Sequence, residues 1–497
     1  MSDTICAIAT APGGAIGIIR LSGPDAFPIV RRVCRRITET TPARTAVYTP
    51  ISEPSATVPE DCSSGSPSGI PPLDDALVTL FCAPNSYTGE DCAEISCHGS
   101  RYILNKVLEL LVQQGARLAD PGEFTQRAFL NGKLDLSQAE AVADLIASTN
   151  RATHDLAMNQ LRGGISSELN RLREQLLRLT SLLELELDFS DHEELEFADR
   201  TELLNLAGTI DERVRHLARS FETGQALKNG IPVAIVGKTN VGKSTLLNTL
   251  LRDDRAIVSD VHGTTRDTIE DTMDLHGITF RFIDTAGLRE TDDVVEQIGI
   301  ERTYKSIEKA SIVIWLIDER PTKHEIDEMQ ELTRGKELLV VLNKIDIAPP
   351  PRHSNNDPAQ PLPSLPRGIE GGSFEIEGNS FGIEGGSFEP WTSPILFISA
   401  KLGRGISQLE EAIFQAAHLP EINSNDIIVT SARHYEALLR AHDSLNRVLD
   451  GLHSALPTDL IAEDLRLTLS QLAEITGGAI TPQETLNNIF SHFCVGK

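Results

Sequence analysis

Residues 237–244 read GKTNVGKS, a spacing of glycines, lysine and serine that is typical of a loop that binds phosphates. The glycines allow the backbone N–H groups to turn inward around a polyphosphate, and a helix that follows would present its positive N-terminal end. Lys243 would contact the β- and γ-phosphates, and Ser244 would bind Mg²⁺. These residues predict a nucleoside triphosphate site.

Apolar runs in this part of the chain predict the elements that position the loop. Residues 231–236 form such a run directly before it, and residues 245–248 after it favour a helix. Two more runs of strand length, 313–318 and 338–342, are separated by polar segments that suit helices. This alternation predicts a parallel sheet covered by helices.

The residues after the run 338–342 indicate which base is bound. Asp346 can accept two hydrogen bonds from the N–H edge of guanine, and the stem of Lys344 can cover the base. Asn343 precedes them. Residues 399–401, Ser399-Ala400-Lys401, would add a backbone N–H for the guanine carbonyl. Either short motif alone also fits an ordinary turn, but their order in the chain predicts a guanine nucleotide.

Two further motifs lie between the phosphate loop and the base motifs. In residues 284–287, DTAG, Asp284 would hold Mg²⁺ through water and the Gly287 N–H would contact the γ-phosphate. Thr265, in the polar segment GTTRD, would be the second hydroxyl on the metal. Together the five motifs of residues 237–401 resemble those of the translational GTPase superfamily.

The position after DTAG is Leu288, where small signalling GTPases carry the glutamine that orients the attacking water. Another residue must therefore orient water. The segment from Leu288 to Arg302 is rich in carboxylates, most of which we expect to be solvated.

Motifs outside the nucleotide site resemble one family in particular. They are residues 3–10, residues 17–23, TGEDCAE at 88–94, HG at 98–99, PGEFTQRAFLNGKLDL at 121–136 and CVGK at 494–497. Over nearly its whole length the chain resembles the MnmE (TrmE) family of bacterial and organellar tRNA-modifying GTPases.

The resemblance implies a K⁺ ion in place of an arginine finger, bound by Asn240, Ser259, Val261 and Thr264. A fixed cation between the β- and γ-phosphates stabilises the charge that develops during transfer. It also implies that Glu296 orients water and that two GTPase domains close on each other in a homodimer. The nucleotide, Mg²⁺ and K⁺ contacts so expected are Asn240, Val241, Gly242, Lys243, Ser244, Thr245, Ser259, Asp260, Val261, His262, Gly263, Thr264, Thr265, Asp284, Thr285, Ala286, Gly287, Asn343, Lys344, Asp346, Ser399, Ala400 and Lys401.

The resemblance also implies a site for a one-carbon folate, 5-formyl- or 5,10-methylene-tetrahydrofolate, at Arg20, Glu94, Lys133 and Lys497. A carboxylate can pair with the donor edge of a pterin, and cations can meet the glutamyl tail. Cys494 has two interpretations: a small buried residue, or a nucleophile or proton donor near the folate.

Composition limits the class of protein. A length of 497 residues predicts about three domains, and we find no targeting peptide and no apolar run that could span a membrane. Seven cysteines without metal-site spacing argue against a disulfide framework and a zinc site, so we expect a cytoplasmic protein.

The net charge of −27 repels RNA, so binding would need a local basic patch or a partner. Arg31, Arg32, Arg35, Arg36 and Arg44 form a candidate patch, and a solvated helix face is the alternative.

The chain divides into expected domains. Residues 1–120 predict an α+β folate-binding and dimerisation domain, and residues 121–223 and 419–497 two parts of one helical bundle. Residues 224–418 predict a Ras-like α/β GTPase domain inserted between those parts. The apolar stripe of the first helical part is core: Leu169, Leu172, Leu176, Leu179 and Leu183. The second part has a similar set: Leu438, Leu439, Leu445, Leu449 and Leu452.

Residues 348–393 are a low-complexity insertion in which the sequence of residues 368–375, GIEGGSFE, is repeated at 382–389. Such a segment cannot bury enough apolar area to offset the entropy of ordering, so we predict disorder. Its deletion should preserve activity.

Two hypotheses for function follow. In the first, the chain is a K⁺-dependent GTPase that forms a heterotetramer with a partner resembling the flavoprotein MnmG (GidA) and adds an aminomethyl-type group to C5 of the wobble uridine of certain tRNAs. In the second, it is a GTP-switched RNA-binding or ribosome-assembly factor. The second hypothesis does not predict folate binding.

Overall fold

A computed structural model describes residues 3–53, 72–188, 200–252, 271–283, 304–347, 395–419, 426–454 and 456–478, and residues 486, 489–491, 493 and 496. The chain divides into two compact units. Unit 1 comprises Met1–Thr149, Thr153–Gly224 and Asn423–Lys497, and unit 2 comprises Asn150–Ala152 and Gln225–Ile422. The finer boundaries at residues 120, 223 and 418 stay a prediction.

Unit 1 contains a six-stranded sheet in the order β3-β4-β5-β2-β1-β6. Its strands are β1 (Ile5–Ile8), β2 (Ile16–Ser22), β3 (Ala46–Ile51), β4 (Asp74–Phe81), β5 (Cys92–His98) and β6 (Arg117–Leu118). The pairs are antiparallel except for β1 with β6. Helices α1 (Ala26–Val33) and α2 (Arg101–Gln113) contribute Ile29, Val30, Leu104 and Val107 to the core on one face of this sheet.

Helices make up the rest of unit 1. They are α3 (Glu123–Leu130), α4 (Leu136–Ala147), α5 (Arg151–Leu161), α6 (Gly164–Asp188), α7 (Arg200–Asn229), α11 (Ala432–His453) and α12 (Thr458–Thr476), where α5 and α7 extend a few residues into unit 2. All five predicted leucines of the first stripe, on α6, are buried in one cluster with residues of α7, α11 and α12. On α11, Leu438, Leu445 and Leu452 are buried, whereas Leu439 is exposed and Leu449 is partly buried. The helical part is therefore formed from two chain segments, as the sequence predicts.

Unit 2 contains a second six-stranded sheet, in the order β12-β11-β10-β7-β9-β8. Its strands are β7 (Ile231–Val236), β8 (Asp271–Leu275), β9 (Ile278–Phe282), β10 (Ile312–Ile317), β11 (Glu337–Leu342) and β12 (Ile395–Phe397). Its helices are α8 (Lys243–Arg252), α9 (Lys323–Leu332) and α10 (Ile406–Ala416). Only the edge strand β8 is antiparallel to its neighbour, which confirms the predicted parallel sheet.

Strand β7 lies between β9 and β10, so the chain order reverses beside it. In open α/β sheets ligands bind at the carboxyl ends of strands at such a point, because loops diverge there. The phosphate-loop motif follows β7 directly. The predicted insertion 348–393 lies outside the described residues.

Among the described residues, no helix has the length and apolar character needed to cross a membrane.

Candidate functional site

The loop after β7 has a backbone that only certain residues can adopt. Gly237 has φ 151°, Gly242 has φ 100° and Asn240 has φ 64°. A Cβ added at Gly237 would lie 2.2 Å from the carbonyl oxygen of Leu316, and one at Gly242 would lie 2.5 Å from Nδ2 of Asn343. Both glycines are thus required by close packing as well as by φ.

Lys243 begins α8 and turns back over the loop. Its Nζ donates to the carbonyl oxygens of Gly237 at 2.8 Å and Lys238 at 2.7 Å. Burial lowers the pKa of Lys243, because the ammonium loses hydration. A polyanion beside it would favour the charged form. Ser244 and Thr245 are exposed in the first turn of α8, where a helix N-terminus favours anions.

One buried side chain joins three segments of unit 2. Asn343 is 5% exposed. It donates from Nδ2 to the carbonyl oxygen of Val241 at 2.8 Å and accepts at Oδ1 from the N–H of Ala400 at 2.9 Å. The phosphate loop, the end of β11 and the segment after β12 are therefore fixed to one another through a single amide.

Asp346 is exposed at the same edge of the sheet. The hydroxyl of Ser399 donates to its Oδ1 at 2.7 Å. This bond, with the nearby charges of Lys401 and Arg404, lowers the pKa of Asp346 against the cost of desolvation. The carboxylate stays ionised at neutral pH, as an acceptor for two N–H groups of guanine must.

Lys344 is held by a residue that the sequence analysis did not select. Its Nζ lies 2.7 Å from Oδ2 of Asp318, which follows β10. The backbone of Lys344 has φ 63°. The ion pair fixes the direction of the lysine stem. The position of Asp318 directly after a buried strand was the available signal.

Several predicted residues lie outside the described part of the chain. They are Ser259, Asp260, Val261, His262, Gly263, Thr264, Thr265, Asp284, Thr285, Ala286, Gly287, Glu296, Cys494 and Lys497. Their roles stay predictions.

Arg20 and Glu94 of unit 1 are direct partners across β2 and β5. Arg20 donates to Oε1 of Glu94 from Nε at 3.0 Å and from Nη2 at 2.7 Å. The guanidinium lies 5.7 Å from the ring centre of Tyr87 and 5.9 Å from that of Phe124. A carboxylate, a cation and the exposed ring of Tyr87 therefore lie together, whereas Phe124 is buried.

The chain end reaches the same place. Nη1 of Arg20 lies 3.4 Å from the carbonyl oxygen of Gly496. A Cβ added at Gly496 would lie 2.5 Å from the carbonyl oxygen of Ile8. Gly496 belongs to the CVGK motif, so this motif contacts Arg20. Lys133 instead donates to the carbonyl oxygen of Pro84 at 3.0 Å, in the loop that also carries Tyr87.

Arg127, in α3, is 1% exposed and lies among carboxylates. Its Nη atoms lie 3.0 Å from Asp3, 3.1 Å from Glu90 and 2.9 Å from Glu123. Burial opposes its charge, but Glu123 and Glu90 raise the pKa of Arg127. Glu90 also accepts from the hydroxyl of Ser22 at 2.6 Å, so the network anchors the TGEDCAE segment that leads to Glu94. This network was not predicted from the sequence.

Family models and whole-chain relatives decide the family. Residues 4–133 match the model described as "GTP-binding protein TrmE N-terminus", and residues 136–494 match "MnmE helical domain". A "tRNA modification GTPase MnmE" of Phocaeicola vulgatus is 49% identical over 522 residues, covering 100% of this chain and 99% of the relative. The chain belongs to the MnmE (TrmE) family.

A second member, from Bacteroides thetaiotaomicron, is 48% identical over 499 residues, with 100% of this chain and 99% of that protein covered. The family resemblance is confirmed, as are the multidomain fold class and the expectation of a GTPase. Among solved structures, Era in complex with MgGDPNP and a 16S ribosomal RNA segment has 27% identity and a TM-score of 0.23, covering 43% of this chain and 65% of Era. A TM-score this low supports neither functional hypothesis.

Proposed function

We propose that the chain hydrolyses GTP with Mg²⁺ and K⁺ and, with a flavin-containing partner, modifies C5 of the wobble uridine in certain tRNAs, using a one-carbon folate. Family membership over the whole chain carries this proposal, because the relatives are tRNA modification GTPases. We also propose a homodimer, a heterotetramer with the MnmG-like partner and a cytoplasmic location. The domain boundaries given above are part of the same proposal.

The described part of the nucleotide site fits GTP. A loop closed by glycines, a lysine over its carbonyls and a helix N-terminus suit a polyphosphate. Ionised Asp346, fixed by Ser399, suits guanine. Lys243 would bind the β- and γ-phosphates, Ser244 with Thr265 would hold Mg²⁺, and Asn240 with residues 259–264 would hold K⁺. A cation bound there supplies charge that stabilises phosphoryl transfer.

Dependence on K⁺ tests the first part of the proposal. The rate of GTP hydrolysis by the full chain should be much higher in K⁺ than in Na⁺. The substitution Glu296→Ala should lower turnover by about 100-fold or more, since water loses the group that orients it, while GTP affinity changes little. Glu301→Ala, in the same carboxylate-rich segment, is the matched control. Equal rates in the two salts would remove the K⁺ assignment.

The described part of the folate site fits a pterin with an anionic tail. Arg20 holds Glu94 through Oε1, and the exposed ring of Tyr87 beside Arg20 gives a flat ligand a surface to pack on. Arg20 and Lys133 would meet anionic groups, while Glu94 would accept from the ring. Cys494 and Lys497 would complete this site from the chain end.

Folate binding separates the proposal from the rival RNA-binding or assembly factor. The purified chain should bind 5-formyl-tetrahydrofolate in equilibrium dialysis. Arg20→Gln should weaken binding by about 10-fold or more, because a charge-assisted hydrogen bond is lost. Arg101→Gln, on the exposed surface of α2, should leave it unchanged. A chain that takes up no folate would favour the rival.

The tRNA itself gives the most direct test. Nucleosides from tRNA of cells lacking this gene should be deficient in the modified wobble uridine. An unchanged nucleoside profile in those cells would refute the modification activity.

A further inference from the structure

The first unit carries a concentration of positive charge in a strongly acidic protein. The net charge of the chain is −27, yet residues 26–52 contain five arginines, no lysine and a single carboxylate, Glu39. The exposed members of this set are Arg32, Arg35, Arg36 and Arg44, and Arg31 is partly buried. We call these five arginines the arginine edge.

The fold places Arg35, Arg36 and Arg44 of the arginine edge beside β3, the edge strand of the first sheet, whereas Arg31 and Arg32 lie on α1. The segment after α1 bridges to this strand through Cys34 and Ile51. The N–H of Arg36 donates to the hydroxyl of Thr49 at 3.3 Å, and the N–H of Arg44 donates to the carbonyl oxygen of Leu80 at 2.8 Å. Backbone hydrogen bonds therefore hold the segment that carries these side chains.

Neutral partners hold three of the side chains. Arg32 donates to the carbonyl oxygen of Gln114 at 3.1 Å. Arg36 and Arg44 donate to the carbonyl oxygens of Tyr48 and Asn85, each at 3.4 Å. A carbonyl orients a guanidinium without cancelling its charge, and it uses one of five N–H donors.

Other arginines of unit 1 are paired differently. Arg178, Arg440 and Arg447 each bind a carboxylate, at 3.2, 2.8 and 2.8 Å. On the arginine edge, only Arg31 has a carboxylate partner among the described residues, Glu39 at 3.6 Å. Arg35 has no hydrogen-bond or ion-pair partner within the described part of the chain. Within the described part of the chain, four of these five arginines therefore have no carboxylate partner, and their charge favours a polyanion as the ligand.

An exposed aromatic ring lies within the arginine edge. Tyr48 is 54% exposed, and the guanidinium of Arg36 lies over its ring at 5.6 Å from the centre. Unpaired RNA bases stack on tyrosine rings and on arginine planes. A hydrogen bond to Asp75 raises the pKa of Tyr48, and the neighbouring Asp74 pairs with His98. Asp74 and Asp75 are thus negative charges close to Tyr48.

We propose that the arginine edge docks the phosphate backbone of RNA and, on the function proposed above, of the tRNA substrate. A phosphate chain needs several guanidinium groups at fixed positions, which three carbonyl contacts provide here. Its occupant is RNA rather than an acidic protein surface, because an exposed Arg–Tyr stack adds base contacts to the charge.

The test uses the full chain, with and without its flavoprotein partner, and a transcribed tRNA. Binding is followed by fluorescence anisotropy over a series of salt concentrations. The variant combining Arg35→Gln, Arg36→Gln and Arg44→Gln should bind about 10- to 100-fold more weakly at low salt, with a log–log salt slope smaller by about 2 to 3. The control combining Arg178→Gln, Arg440→Gln and Arg447→Gln removes the same charge and should match the wild type.

Two further measurements exclude a folding defect. Replacing the same three arginines with lysine should restore most of the affinity, and basal GTP hydrolysis should be equal in all variants. The proposal is overturned if the glutamine variant binds tRNA as the control does, or if it changes only the oligomeric mass in sedimentation. Nucleoside profiles report the proposed function separately, since a modification activity can persist with RNA docked elsewhere.

Discussion

The carboxylate of Asp346 is the residue of the nucleotide site whose chemistry is most specific. It is exposed, ionised and oriented by Ser399, so its two oxygens can face the N–H edge of a base. Lys344 beside it is oriented by Asp318. Each residue that would read the base is thus fixed by a second residue.

Asp346→Asn should lower GTP affinity by about 100-fold, because an amide presents a donor where guanine also donates. The same amide can donate to the carbonyl that xanthine carries at that position, so affinity for xanthosine triphosphate should rise. Titration with fluorescent analogues of both nucleotides measures the two affinities. Asp327→Asn, an exposed carboxylate on α9, should change neither value. Unaltered preference for GTP in the Asp346 variant would contradict the assignment.

At the scale of elements, one carboxylate within α4 joins this helix to the start of α11 and, through Arg433, to the end of α12. Glu140 of α4 binds Nε of Arg433 and Nε2 of His434, each at 2.8 Å, at the start of α11. Arg433 also donates to the carbonyl oxygens of Glu474 and Ile475 near the end of α12, at 2.7 and 2.9 Å. His434 is fully buried. Burial disfavours ionised Glu140, but His434 and Arg433 outweigh it and lower the pKa of Glu140 to about 2.

Glu140→Gln should lower the free energy of unfolding by about 3 kcal/mol at neutral pH, since the partly buried Arg433 and the buried His434 lose their carboxylate partner. A depressed carboxyl pKa stabilises the fold above the unfolded value of 4.5, and that stabilisation is lost as pH falls from 4.5 toward about 2. The difference between wild type and variant should therefore shrink below pH 4.5. Urea unfolding at several pH values measures it.

Glu109→Gln is the matched control, because its pair with Lys106 is exposed and screened by water, so its loss should change stability little. A Glu140 variant with the stability of this control would show that the three-helix contact contributes nothing to the fold.

For the whole molecule, residues 348–393 lie in the chain between two strands that pair directly with each other. Strands β11 and β12, which flank this segment, pair in parallel, with Val340 opposite Ile395. A parallel connection needs roughly a dozen residues, far fewer than the chain supplies here.

Replacing residues 348–393 with a Gly/Ser linker of about 12 residues should leave GTP affinity and hydrolysis within about twofold of the wild type. The base-binding motifs lie before and after the segment, and their contacts are made by Asn343, Ser399 and Ala400. Nucleotide titration and steady-state hydrolysis measure the outcome. Loss of GTP binding in the shortened chain would mean that the insertion supports the nucleotide site.

Much of the fold could be predicted from local pattern. The apolar runs gave strands β7, β10 and β11, and the spacing of Leu169 to Leu183 gave a buried helix face, because periodicity reports which side of an element is covered. Leu439 was predicted within the stripe of α11 and is exposed. A leucine adjacent to Leu438 cannot share its face of a helix, and only packing shows which of the two is buried.

The sequence by itself determined the motifs whose chemistry is local. A phosphate loop needs glycine where φ is positive, and a guanine-binding site needs a carboxylate after a strand. Residue types and their spacing are therefore enough to predict both sites. Only the tertiary structure decided which distant residues support them. Asn343 contacts Val241 across 102 positions, Arg127 contacts Asp3 across 124, and Arg433 contacts Glu140 across 293. Buried polar groups form hydrogen bonds with whichever groups the packed chain brings close to them. Sequence periodicity does not indicate these long-range partners.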